Sequence, residues 1–131
     1  MGSPELDLTS FHKAVGQLEQ AYALQPANEL ARDGCIQRFE YTFELAWKML
    51  RRHFALEDAE AAERMTKKDL FREAAKQGLI TDPVPWFGFL EARNTTSHVY
   101  DSDKAEQVYG QGALFTPEAR NLLNELLDRH A

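Results

Sequence analysis

The feature that most constrains this chain is a long apolar seam between Asn28 and Phe54. Ile36, Glu40, Phe43, Trp47, Leu50 and Phe54 recur at intervals of four, three, four, three and four residues, and Phe39 and Ala46 widen the stripe. That is the period of one face of an α-helix, with its heptad-like repeat, and not the two-residue alternation of a strand. Asn28 can cap the start of such a helix. A helix with a wide apolar stripe must bury it against other helices, which points to a bundle. One member does not suit a core. A carboxylate at Glu40 needs a partner or it will take up a proton. Either the seam leaves Glu40 at its edge, facing solvent beside Glu44 or paired with Lys48, or Glu40 reaches across the bundle to a cation such as Arg93.

The flanking segments read the same way. A first helix is expected from Thr9 or Ser10, either able to cap, to about Leu24, stopped by Pro26, with Phe11, Val15, Leu18 and Tyr22 on one face. Residues 55–64 form a connection or an exposed helical extension. Thr66 with Asp69 resembles a capping box, and Gly78-Leu79 a left-handed C-terminal cap; between them Leu70, Phe71, Ala74 and Ala75 make a narrow core face. Lys68, Arg72 and Lys76 form a basic stripe on that helix, either a solvated face or a track for an RNA backbone. Asp82-Pro83 opens a further helix, and Asp101-Ser102-Asp103 caps another through Tyr109. Gly110 and Gly112 are expected to break the chain. Thr116-Pro117-Glu118 then starts a last helix with Leu122, Leu123, Leu126 and Leu127 on its apolar face. No segment reads as a strand. The expectation is one all-α domain over residues 1–131, an antiparallel up-and-down helical bundle of four to five helices.

Composition narrows the function. A length of 131 residues supports a single core without metal or disulfide staples, and one cysteine, Cys35, excludes an internal disulfide; its helical setting suits a small buried residue. Neither a signal sequence nor an apolar run of membrane length is seen, so a cytoplasmic protein without a membrane partner is expected. Met1 to Pro4 carry no functional reading. The net charge of −6 argues against a protein that coats nucleic acid with its whole surface, and no DNA partner is expected.

Chemistry concentrates between Trp86 and Tyr100. After the aromatic run comes Arg93-Asn94-Thr95-Thr96-Ser97-His98-Val99-Tyr100, a permanent cation, an imidazole and a phenol within eight positions. On a continuous helix five residues turn about 140° and rise roughly 7.5 Å, so Arg93 and His98 cannot address one atom. Either the helix loosens at Thr95 to Ser97, or the second group comes from another copy across a two-fold axis. An extended chain after His98 would bring Tyr100 to the same side. RNA cleavage without a metal needs a base, an acid and a cation for the phosphorane charge; Arg93 suits the last, and two His98 from a dimer the first two. Alternatively Arg93 caps carbonyls while His98 and Tyr100 pack. No phosphate-binding loop is present, and Asp101 and Asp103 read as a helix cap before they read as metal ligands.

The segment Arg38-Phe39-Glu40-Tyr41-Thr42-Phe43-Glu44-Leu45-Ala46-Trp47-Lys48, with Trp86 to Leu90, Arg93-Asn94 and Ser97-His98-Val99-Tyr100, resembles the nucleotidyltransferase substrate-binding protein family, the HepT-like branch of the HEPN superfamily. The resemblance spans about Asp33 to Tyr109. It implies a homodimeric helical bundle working with a separate minimal nucleotidyltransferase, which would bring its own ATP and magnesium, with no cofactor in this chain. It implies a binding subunit that presents a substrate, through Asn94, Ser97, Glu40 and Lys48, or its own Tyr100, for nucleotidyl transfer. The alternative it carries is a metal-independent ribonuclease toxin with Arg93 and His98 as catalytic residues, neutralised by the nucleotidyltransferase. The break at Gly110 to Gly112 departs from the continuous helix usual in that family.

Overall fold

A computed structural model describes residues 6–25 and 28–131, so the readings placed on Met1 to Pro4 and on Pro26 lie outside the described residues. The described chain forms six α-helices: α1 (Thr9–Ala23), α2 (Glu29–Ala55), α3 (Ala59–Arg64), α4 (Lys67–Lys76), α5 (Pro83–Thr95) and α6 (Ser102–Arg129), with a 3₁₀ turn at Thr96–His98. No strand occurs among the described residues. No helix among them is long and apolar enough to cross a membrane.

Side-chain partners give the helix directions. Cys35, Arg38 and Thr42 of α2 meet Ala21, Gln17 and Ala14 of α1, so the two run antiparallel. Glu40 and Glu44 of α2 meet Thr96 and Arg93, so α5 also runs against α2. Arg32 with Glu106, Phe39 with Phe115 and His53 with His130 show α6 running parallel to α2. The four long helices therefore alternate up and down. The pair α3 and α4 is inserted between α2 and α5.

The core is aromatic. Phe39, Phe43, Phe71, Trp86, Phe89 and Phe115 are each at most 1% exposed. Phe115 sits at their centre, edge-on to Phe39, Phe43, Trp86 and Phe89 at centroid distances of 5.2–5.7 Å. Such rings bury large areas and add edge-to-face attraction.

Local capping explains most boundaries. Asn28, Asp58, Asp82 and Asp101 each accept backbone N–H groups of the following turn. Thr66 and Asp69 make the full capping box. Gly78, at φ 76°, ends α4: its N–H donates to Ala75 and that of Leu79 to Ala74, satisfying two terminal carbonyls.

Four expectations are corrected. Neither Thr9 nor Ser10 caps α1; the carboxylate of Asp7 accepts the Thr9 N–H at 3.0 Å. The buried stripe of α2 is Ile36, Phe39, Phe43, Ala46, Leu50 and Phe54, flanked by Cys35, Thr42 and Met49, which moves Glu40 and Trp47 to its edge. Leu127 is 39% exposed, outside the apolar face its neighbours share. The largest correction concerns α6, which passes unbroken through Gly110, Gly112 and Pro117. A Cβ on Gly112 would overlap the Tyr22 hydroxyl and crowd Phe39, so glycine here admits a neighbouring helix instead of ending its own. Tyr22 fills that space, stacking on Tyr109 and donating to its carbonyl at 2.9 Å. The Thr116 hydroxyl donates to Gly112 O at 2.8 Å inside the helix. Interior proline costs about 3 kcal/mol. Burial of Phe115, Ala119, Leu122, Leu123 and Leu126 along one stripe offsets it.

Candidate functional site

The polar corner is built where α5 gives way to the 3₁₀ turn. Arg93 lies on the last turn of α5 and projects onto α2, whose Glu40 and Glu44 stand one turn apart on the same face. Its Nε donates to Glu44 Oε2 and its Nη1 pairs with Glu40 Oε2, both at 3.1 Å. Nη1 also donates to the Thr96 hydroxyl at 3.3 Å, and that hydroxyl has Glu40 Oε2 (3.1 Å) and the Arg93 carbonyl (2.9 Å) as acceptors for its own proton. Trp47 closes the network by donating its indole N–H to Glu44 Oε2 at 3.2 Å. All three charged side chains remain about one third exposed. Two carboxylates on one guanidinium orient it firmly and leave a net negative environment. The Nη2 group has no partner among the described residues.

The sequence offered Arg93 as one of two outcomes for Glu40, the other being the edge of the seam, and the structure combines them; Glu44, Thr96 and Trp47 were not foreseen. A signal for Glu44 was present, since it stands four residues from Glu40 on the same helix face.

The helix does loosen beyond Thr95, as the first of the two geometries required. The chain does not become extended, however. Val99 keeps helical angles (φ −72°, ψ −3°), and a turn, not a strand, sets Tyr100 beside His98 with ring centroids 6.1 Å apart. His98 is exposed and Tyr100 is 85% exposed. Neither packs into the core. Asn94 and Ser97 are also exposed. Lys48 is not drawn into the cluster: its Nζ lies 5.7 Å from the Trp47 ring centroid, one turn beyond Glu44. Asp101 accepts the N–H groups of Asp103 and Lys104, so it acts as a helix cap. No group of three or more potential metal ligands occurs among the described residues.

Two grooves are lined by other residues. A groove of about 620 Å³ between α5 and α6 is lined by Gly88, Ala92, Gln111 and Leu114 among others, and one of about 630 Å³ between α1 and α2 by Lys13, Gln17, Arg38 and Tyr41. Neither contains Arg93, His98 or Tyr100. The corner is an open ledge on which His98 and Tyr100 stand exposed.

Comparison with known proteins agrees with this architecture. The family described as nucleotidyltransferase substrate binding protein like matches residues 6–128. A Haemophilus influenzae protein named probable ribonuclease HepT is 40% identical over an alignment of 144 positions, covering 99% of this chain and 98% of that protein. A solved Haemophilus influenzae structure, described as revealing the fold of a substrate binding domain of a nucleotidyltransferase, is 33% identical and superposes with a TM-score of 0.84 over 92% of this chain and 99% of its own. A solved structure from Thermus thermophilus is 30% identical with a TM-score of 0.70, over 91% and 97%. With a family match over residues 6–128 and helices and length matched by its relatives, the chain belongs to the nucleotidyltransferase substrate binding protein-like family.

Proposed function

We propose that this protein is a metal-independent ribonuclease whose Tyr100 is the acceptor for AMP from a separate minimal nucleotidyltransferase. The observation that carries this is the side-by-side placement of exposed His98 and exposed Tyr100 on a turn anchored by Arg93. It joins the two readings of the sequence in one ledge. The name of the Haemophilus influenzae relative supports the nuclease part, and the family description the nucleotidyltransferase partner.

In cleavage, the 2′-hydroxyl of a ribose attacks the adjacent phosphorus as His98 takes its proton. The bond to the 5′-oxygen breaks, leaving a cyclic phosphate. The leaving oxygen needs a proton from a second group, because one imidazole cannot be base and acid in the same step. The His98 of a second copy supplies it, so the active form is a homodimer meeting around Ser97 to Tyr100. Arg93 Nη2 faces the phosphoryl oxygens, with Glu40 and Glu44 as positioning residues. In modification, the Tyr100 oxygen attacks the α-phosphorus of ATP held with magnesium by the partner, pyrophosphate leaves and the phenolic proton passes to solvent. The added phosphate charge then repels RNA from the same ledge.

The test uses single-stranded RNA with EDTA present. His98→Ala and Arg93→Ala should each abolish cleavage, whereas Tyr100→Phe should leave it largely intact. With ATP, magnesium and the partner, Tyr100→Phe should lose all labelled AMP. Cleavage that survives His98→Ala, or AMP transferred elsewhere than Tyr100, would overturn the corresponding half of the proposal. A protein that is monomeric by light scattering at micromolar concentration yet fully active would overturn the shared site.

A further inference from the structure

Next to the ledge, α2, α4 and α5 present two partly exposed aromatic rings, each bearing cations. Trp47 has Lys67 Nζ 4.6 Å and Lys48 Nζ 5.7 Å from its ring centroid, and Phe87 has Lys68 Nζ at 5.5 Å and the Arg72 guanidinium at 5.2 Å. Lys67 and Lys68 are neighbours at the start of α4, so its first turn carries cations toward both rings. Lys48, Lys67 and Lys68 make no ion pair among the described residues, in a chain with a net charge of −6. Trp47 is joined to the ledge directly, since its N–H and the Arg93 Nε share one oxygen of Glu44.

We propose that this face seats the single-stranded RNA leading away from the Arg93–His98 ledge, with bases stacked on Trp47 and Phe87 and phosphates held by Lys48, Lys67 and Lys68; the proposal rests on the ribonuclease reading. Two observations favour a nucleic acid strand. Interleaved rings and cations are how sequence-tolerant single-strand surfaces work, because every base offers a π-face and every linkage a negative charge. An acidic protein surface would satisfy the lysines, but its carboxylates would not stack on the electron-rich faces of the rings. The second observation is electrostatic. Arg93 is bound by two carboxylates, so the ledge alone is a poor attractor for a polyanion, and unpaired cations must come from beside it. The lysines resting on the rings are long and flexible, able to swing to phosphates as bases take their places.

Binding can be read separately from cleavage with a fluorescein-labelled single-stranded RNA of 2′-O-methyl riboses, which lacks the attacking hydroxyl. In fluorescence anisotropy, Lys67→Glu with Lys68→Glu should weaken binding at least tenfold and reduce the slope of log affinity against log salt by roughly 1.4, the effect of two lost phosphate contacts. Trp47→Ala and Phe87→Ala should each weaken it about tenfold, and Trp47→Phe should retain most of the affinity. Lys13→Glu, an exposed charge change on α1, is the control, expected to stay within about twofold. The lysine pair lies on the surface, so its result stands even if an alanine variant loses helicity by circular dichroism. Binding unchanged in the lysine pair, or weakened equally by Lys13→Glu, overturns the proposal while leaving the nuclease reading intact. Loss of the nucleotidyltransferase with RNA affinity retained also overturns it and assigns the face to that partner. Face-dependent binding of RNA without cleavage of the unmodified strand upholds this surface and sinks the ribonuclease instead.

Discussion

The two ends of α5 are built on opposite terms. Its first turns carry Trp86 and Phe89, closed into the ring cluster around Phe115, whereas its last turn carries Arg93 and passes into a corner where Asn94, Ser97, His98 and Tyr100 all face solvent. Apolar contact at one end holds the helix in place; charge-assisted hydrogen bonds that Arg93 donates to α2 aim it at the other. The difference predicts that the exposed groups of the corner contribute little to stability, and that the ion pairs holding Arg93 contribute an intermediate amount.

The sharpest break in this contrast is Phe115→Ala. Removing the ring that touches four others should cost about 3–5 kcal/mol, a large share of a small domain's stability, read as a lower urea midpoint. Next comes Arg93→Ala, which strands two neighbouring carboxylates and should cost roughly 1–2 kcal/mol by the same measurement. Glu40→Gln, which keeps the shape and loses one charge, should fall below it; equal stability would mean that Glu44 alone anchors the guanidinium. Smallest of the substitutions, His98→Ala and Tyr100→Phe should change stability by less than about 0.5 kcal/mol, because both side chains are exposed. A loss as large as that of Arg93→Ala would dissolve the distinction between the anchored and the exposed groups of the corner.

A pH titration sharpens the comparison at the opposite end of the bundle. Burial, then the His130 ring and the Arg129 guanidinium, hold the His53 imidazole below its ordinary value near 6.5, against a weaker pull from Glu57. The unfolded chain therefore binds this proton more readily. Its contribution is complete above about pH 6.5 and is lost as pH falls through the window below. Urea midpoints should drop between about pH 7.5 and 5.5, and His53→Gln should flatten part of that drop.

What could be read from the residues was what the chain decides within a turn or two. The caps at Asn28, Thr66 with Asp69, Asp82 and Asp101, and the αL glycine at Gly78, act over one to five residues and were all legible. So was α2, because large residues mark its seam. Of the seam of α6, only the last members, Leu122 and Leu126, were. Ala105, Val108, Gly112, Phe115, Ala119, Leu122 and Leu126 repeat without interruption across the helix, but small members hide the pattern, and Gly110 and Pro117 mimic punctuation.

The corner shows the same division. The sequence by itself determined that a cation, an imidazole and a phenol would lie close together, and that Glu40 needed a partner. Only the tertiary structure decided that Arg93 is shared between Glu40 and Glu44 and that Trp47 turns its N–H to the same carboxylate. It also decided that α6 stays whole, since Tyr22, far back on α1, occupies the place of a missing side chain at Gly112. Caps and periodicity are local free energies carried by neighbouring residues. Contacts between distant segments exist only once the helices have chosen their faces, so no single stretch encodes them.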